Sequence, residues 1–165
     1  MQFEIKKMET ESEVRGKAYV HWKSWHETYP GLVSEAYLAG LTLEKNEERA
    51  FRDIGSVLVA KCGERVIGFV GYGGAREAPN ELGEVFALYV LREYCGQGVG
   101  TALLDAALQE LKRFPRVCLW VLKENRPAIR FYEKHGFRAD GAEKYVEAIA
   151  AGGLRMVRER TPAER

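Results

Sequence analysis

Three glycines at 96, 98 and 100 stand directly ahead of an amphipathic run, in the stretch Cys95-Gly-Gln-Gly-Val-Gly-Thr101. Glycines at such spacing remove side chains where a backbone must come close to something. A helix opening behind them offers unpaired N–H groups and the positive end of its dipole. Together these features make a turn suited to an anion, and a phosphate-bearing ligand is the first candidate. A Walker loop would require a lysine after the glycines, and none follows. A dinucleotide fingerprint would need its third glycine where Thr101 stands. Tight packing of the turn against a sheet is the plain alternative.

Other reactive side chains offer less. His21 and His26 are five apart, about 140° around a helix, which does not suit a metal pair. Cys62, Cys95 and Cys118 are scattered and odd in number. Neither a disulfide framework nor a zinc site is indicated, no metal is expected, and a reducing, cytoplasmic setting follows. Cys95 at a helix start could be nucleophilic, but no His–Asp partnership accompanies it.

The elements that would carry these groups can be read from periodicity. Phe3–Lys7 alternates as an opening strand, and a helix is expected from about Ser12 to Glu27, with Val14, Ala18, Trp22, Trp25 and Tyr29 on one face. Ser34 caps a second helical region reaching towards Phe51 and interrupted near Gly40. Residues 57–72 read as a hairpin turning at Gly63-Glu64, and 73–83 as a loop rich in Gly, Pro and Asn. A strand over Leu82–Leu91 leads into the glycine turn. In the helix that follows, from Gly98 to about Arg113, Leu104, Ala107, Leu108 and Leu111 share a face.

Arg116–Leu122 is a near-continuous apolar run, as in a strand buried on both sides. Asn125 caps the next helix, Pro127 suits its first turn, and Gly136 ends it. Phe137–Val157 closes the sheet as a hairpin turning at Gly152-Gly153. One domain over 1–160 and a frayed tail over 161–165 follow.

Net charge is +1, from 25 basic and 24 acidic residues. No broad positive field points to nucleic acid, and no apolar run approaches the ~20 residues needed to cross a bilayer.

A second block sharpens the picture. Asn125-Arg-Pro-Ala-Ile-Arg-Phe-Tyr-Glu-Lys-His-Gly-Phe137 follows the buried strand. With the glycine turn it resembles the GNAT superfamily of acyl-CoA-dependent N-acetyltransferases. The patterns there are Gln/Arg-x-x-Gly-x-Gly/Ala and Asn-x-x-Ala-x-x-x-Tyr-x-x-x-Gly-Phe. The resemblance covers nearly the whole chain, with Cys95 departing from the usual arginine or glutamine. Trp22, Trp25, Thr28–Leu32 and Tyr37-Leu38 are similar to an N-terminal pattern in bacterial small-molecule and polyamine acetyltransferases.

The resemblance implies an α/β (α+β) fold: a mixed, mostly antiparallel sheet of six or seven strands, about four flanking helices, and a splay between the fourth and fifth strands. It implies acetyl-CoA as co-substrate, held by amides around Gln97, Gly98, Val99, Gly100 and Thr101. Cys95 would preserve binding if the position contributes chiefly its backbone N–H, and would lower cofactor affinity if the side chain matters. Leu88, Tyr89 and Val90 would pair with the pantetheine arm, with Asn125, Ala128 and Phe131 beside it.

Tyr132, at the motif tyrosine, would be the general acid for the leaving thiolate, with simple packing as its alternative. An alkyl amine with a pKa near ~10 must lose a proton before attack, and Glu84 is the candidate base. Glu81 competes for that role. Trp25 and Tyr29 are candidates for the acceptor wall, although an aromatic stripe at helical spacing also serves as core.

The expected reaction is acetyl transfer to a primary amine of a small molecule by direct attack in a ternary complex. A protein N-terminal or lysine acetyltransferase and a non-catalytic acyl-CoA sensor are the alternatives. The family's frequent dimers leave a homodimer open.

Overall fold

The computed structural model describes residues 1–164. Its elements run β1 (Glu4–Lys7), α1 (Glu11–Thr28), α2 (Glu35–Gly40), α3 (Leu43–Arg52), β2 (Ser56–Cys62), β3 (Arg65–Ala75) and β4 (Ala78–Val90). Then come α4 (Val99–Glu110), β5 (Arg116–Leu122), α5 (Arg126–Lys134), β6 (Arg138–Val146) and β7 (Ala151–Glu159). The seven strands form one sheet in the order β1-β2-β3-β4-β5-β7-β6. Only the β4–β5 pairing is parallel. This is the mixed, mostly antiparallel sheet expected, flanked by five α-helices. No helix among the described residues is long and apolar enough to cross a membrane.

The helices begin where short polar side chains can satisfy their first N–H groups. Thr10 Oγ1 accepts from the Glu13 N–H, while the Glu13 carboxylate accepts from the Thr10 N–H, a reciprocal cap that fixes the start of α1. Ser34 accepts from the Tyr37 N–H at the start of α2, as its position in the sequence suggested. The apolar face of α4 is the one the spacing predicts. Leu104, Ala107, Leu108 and Leu111 pack on Ile67, Val70, Val85, Leu119 and Met156 in the largest core cluster. On the other side of the sheet α1 lays Val20 against Val59 and Phe69.

Two expectations need correcting. Residues 73–83 are not a loop: β3 and β4 continue as a long hairpin and turn only at Arg76-Glu77. The glycines there serve strand packing, since a Cβ on Gly74 would lie 2.3 Å from the Pro79 carbonyl oxygen. Gly152-Gly153 is likewise not the turn of the last hairpin. Both lie in β7, and the chain reverses at Glu147–Ile149, with Ala150 taking the left-handed conformation. At the C-terminus Pro162–Glu164 form a short 3-10 turn, with the Glu164 carboxylate accepting from Arg158 at 2.8 Å. Residue 165 of the expected frayed tail lies outside the described residues.

Candidate active site

The site arises where the sheet comes apart. β4 pairs with β5 only from Leu82↔Arg116 to Val85↔Leu119. At the same level its register with β3 shifts, with Val85 opposite Tyr72 and Ala87 opposite Gly71, so Phe86 is an extra residue. Such a bulge bends the strand. It also lets Val85 and Leu88 both join the α4 core, while Ala87 and Tyr89 pack on the α1 side. Beyond Val85 no strand pairs with the β5-facing edge of β4. The backbone of Leu88, Tyr89 and Val90 therefore presents a free edge to the gap.

The turn after β4 is shaped by Gly96 and Gly98, at φ 76° and 85°, where a side chain is strained. A Cβ on either would meet nothing within 4 Å, so the turn is open to solvent. The first hydrogen bond of α4 joins the Ala102 N–H to the Gly98 carbonyl at 3.0 Å. The N–H groups of Val99, Gly100 and Thr101 are left without intrahelical partners. Here opens a cavity of about 460 Å³ lined by Cys95, Gly96, Gly98, Gly100 and Thr101. Pro127, Ala128, Phe131 and Tyr132 face them from α5, and no lysine or arginine among the described residues lines the space. An anion placed here is held by backbone dipoles, and a phosphate fits that chemistry.

Not every expected residue presents its side chain. Val99 is buried beneath the turn, and Gln97 reaches back to donate to the Glu93 carbonyl. Cys95 Sγ points at the carbonyls of Val90 and Leu91. Burial, then the Glu27 carboxylate, pushes its pKa up, so it stays a thiol.

A second cavity, about 360 Å³, runs through the splay. Val85, Leu119 and Val121 line it from the α4 side, while Tyr89, Trp120 and Lys144 line it from the other. Leu88, Val90, Ala128 and Tyr132 belong to both cavities. Tyr132 therefore stands at the junction between the anion turn and the through-sheet space. Burial, and then neighbouring Tyr29, raises its phenol pKa well above the ordinary range, so it holds its proton. Asn125 also lines the cavity, but its side chain is committed to capping α5 at the Ala128 N–H.

Trp25 and Tyr29, the candidates for an acceptor wall, line this cavity. They join a network the sequence does not show. Trp25 Nε1 donates to the Tyr89 hydroxyl at 3.1 Å, and the Tyr29 and Tyr89 hydroxyls are 3.2 Å apart. His21 stacks on Tyr89 with 5.5 Å between centroids. Its pKa is pushed down to about 4 by burial, then by Lys17 and Arg49, so the imidazole stays neutral.

Glu84 lies one residue ahead of the lining, which begins at Val85. It is half-buried, and burial raises its carboxyl pKa while Lys144 pulls it back. Ser24, Trp120 and Lys144 also line the space and were not singled out from the sequence. Trp120 could have been found from alternation along β5. Ser24 and Lys144 carry no local signal.

The comparisons with known proteins agree with this geometry. The acetyltransferase (GNAT) family profile matches residues 19–137. The uncharacterized N-acetyltransferase YuaI of Bacillus subtilis is 33% identical over 128 residues, covering 74% of this chain and 73% of that protein. An N-alpha-acetyltransferase of Sulfurisphaera tokodaii is 32% identical, over 54% of this chain and 66% of its own length. The crystal structure of the PaiA N-acetyltransferase of Thermoplasma acidophilum in complex with coenzyme A superposes with a TM-score of 0.75. It covers 97% of this chain and 100% of its own at 23% identity, a likeness of fold. The matched segment runs from α1 through the splayed strands, the glycine turn and the tyrosine of α5, and the chain belongs to the acetyltransferase (GNAT) family.

Proposed function

We propose that this protein transfers the acetyl group of acetyl-CoA to the primary amine of a small molecule, by direct attack while both substrates are bound. The observation that carries this is the wall shared by the two cavities. An anion turn on one side and an aromatic space on the other meet at Leu88, Val90, Ala128 and Tyr132. Acetyl-CoA supplies the acetyl group as a thioester. The free amides of Val99, Gly100 and Thr101 suit its pyrophosphate, and the open edge of Leu88–Val90 suits an extended arm. Tyr132 keeps its proton on the hydroxyl oxygen, available to a departing thiolate. The Glu84 carboxylate, beside the same space, takes the proton an ammonium must lose.

A cavity of about 360 Å³ is of the size that encloses small molecules, which supports a small acceptor over an extended peptide. The N-alpha-acetyltransferase relative supports a second reading, acetylation of a protein N-terminus. A sensor that binds without turnover is the third. The three unpaired, scattered cysteines support a cytoplasmic setting.

Calorimetry of acetyl-CoA, run with thiol release against polyamines, amino acids, aminoglycosides and short peptides, separates these. Small-amine-dependent release is expected, peptide-only release moves the reading to protein N-termini, and binding without release from any acceptor leaves a sensor. For Tyr132→Phe, kcat should fall about a hundredfold while acetyl-CoA affinity stays within about twofold. Turnover equal to that of the unaltered protein removes Tyr132 as the acid.

A further inference from the structure

Of the described residues lining the through-sheet cavity, Lys144 alone carries a charge. Its ammonium lies 4.3 Å from the centre of the Trp120 ring. Among the described residues no carboxylate comes within salt-bridge reach of it. Glu84 on β4 acts on it only through space, and the acids of its own strand and of the β3–β4 turn already have partners. Glu143 pairs with Lys123, while Asp140 and Glu77 both pair with Arg155. Opposite Lys144 in the register stands Gly153, whose Cβ, were there one, would lie 3.9 Å from the lysine Cγ. The lysine stem therefore has room to swing over the cavity. A cation at the rim of an acceptor space is the wrong charge for a polyamine or an aminoglycoside.

A second, separate observation also calls for a ligand. Ser24, on α1, lines the same cavity and is 3% exposed, yet its hydroxyl finds no hydrogen-bond partner. A buried hydroxyl left unpaired is costly. The wall between these two polar points is aromatic, formed by Trp25, Tyr29 and Trp120.

We infer that the acceptor is a primary amine carrying a single carboxylate, an amino acid or similar amino-carboxylate. Lys144 meets the carboxylate, the Ser24 hydroxyl meets a polar atom of the seated ligand, and the aromatic wall takes its apolar part. This rests on the acetyltransferase reading of the same site. The amine then points inward, towards Tyr132 and the Glu84 side of the splay.

The test is thiol release with apolar and aromatic amino acids, each matched to its own primary amide, with spermidine as the polycation. The amide keeps the amine and the shape but loses the negative charge. Its altered amine basicity cancels when the acid-to-amide ratio is compared between proteins. The unaltered protein should prefer the acids. Lys144→Gln should lower kcat/KM for the acids about tenfold relative to the matched amides, chiefly through KM, since any change it makes at Glu84 acts on both alike. Ser24→Ala should raise KM severalfold with kcat unchanged.

An acid-to-amide ratio that survives Lys144→Gln overturns the inference. So does spermidine as the best acceptor, and in both cases the transferase stands. No thiol release from any amine, with acetyl-CoA bound, overturns the transferase reading and this inference with it.

Discussion

Glu13 and Glu84 are both glutamates drawn out of solvent beside the sheet, and the protein treats them in opposite ways. Glu13 is 2% exposed, and donors surround it: Lys6 at 2.8 Å, Lys61 at 3.1 Å, and the N–H groups of Glu9 and Thr10 at 2.8 and 3.1 Å. Burial alone would raise its pKa. The hydrogen bonds from Lys6, the two backbone groups and Lys61 outweigh that and hold it far below the carboxylate range. Glu84 has burial without such donors, and its pKa moves up. A fully satisfied carboxylate is a fastener. One left short of partners beside a cavity is a group that can trade protons.

Removing the fastener should have the largest effect. Glu13→Gln leaves two lysines facing a neutral group, with an expected loss of about 3 kcal/mol and a Tm fall of roughly 9 °C. Because the folded pKa of Glu13 lies below its ordinary 4.5, this stabilisation is complete above that value. It is lost as pH falls through the depressed folded pKa. Thermal melts of both proteins from neutral to acid pH should therefore converge, and a constant gap would show that the charge is not the cause.

Glu84→Gln should do the reverse. Its raised folded pKa means the ionised form opposes folding above the ordinary value, so the melting midpoint at neutral pH should hold or rise. Activity should drop about thirtyfold, short of the full general-base range because water can share the task. A base must be deprotonated, so the rate of the unaltered protein should fall as pH drops through that raised pKa. A pH profile with the same acid limb in Glu84→Gln would assign the base elsewhere.

The turn offers a third kind of site, in which no side chain is charged at all. Gly98→Ala meets no neighbouring atom, so its cost is conformational strain alone, about 1 kcal/mol. KM for acetyl-CoA should rise severalfold while kcat moves less. An unchanged KM would mean that the amides of α4 are not the anchor.

Much of this could be read from the chain because the signals were local. The glycines at 96 and 98, the cap at Asn125 and the apolar face of α4 each arise within a few consecutive residues. The splay between the fourth and fifth strands came with the resemblance and is present where β4 and β5 part at Val85 and Leu119.

What escaped depends on strands far apart in sequence. Lys144 reaches the cavity from β6, the strand beyond β7, across the side-chain-free Gly153. The two lysine partners of Glu13 come from β1 and β2. The hydroxyl pair of Tyr29 and Tyr89 spans 60 positions, which no periodicity reports. The Gly152-Gly153 pair misled because glycines mark turns and open strand surfaces alike, and only the sheet tells the two apart.

The aromatic wall has one more consequence. Two of the three tryptophans, Trp25 and Trp120, stand in the cavity, and only Trp22 lies outside its lining. Trp25 meets the Tyr29 ring edge-on at 4.6 Å, and Trp120 lies beneath an ammonium group. Two of the protein's three indole emitters thus face the space a substrate must fill. The colour and brightness of their emission should track occupancy directly, giving the molecule an optical gauge with no label attached.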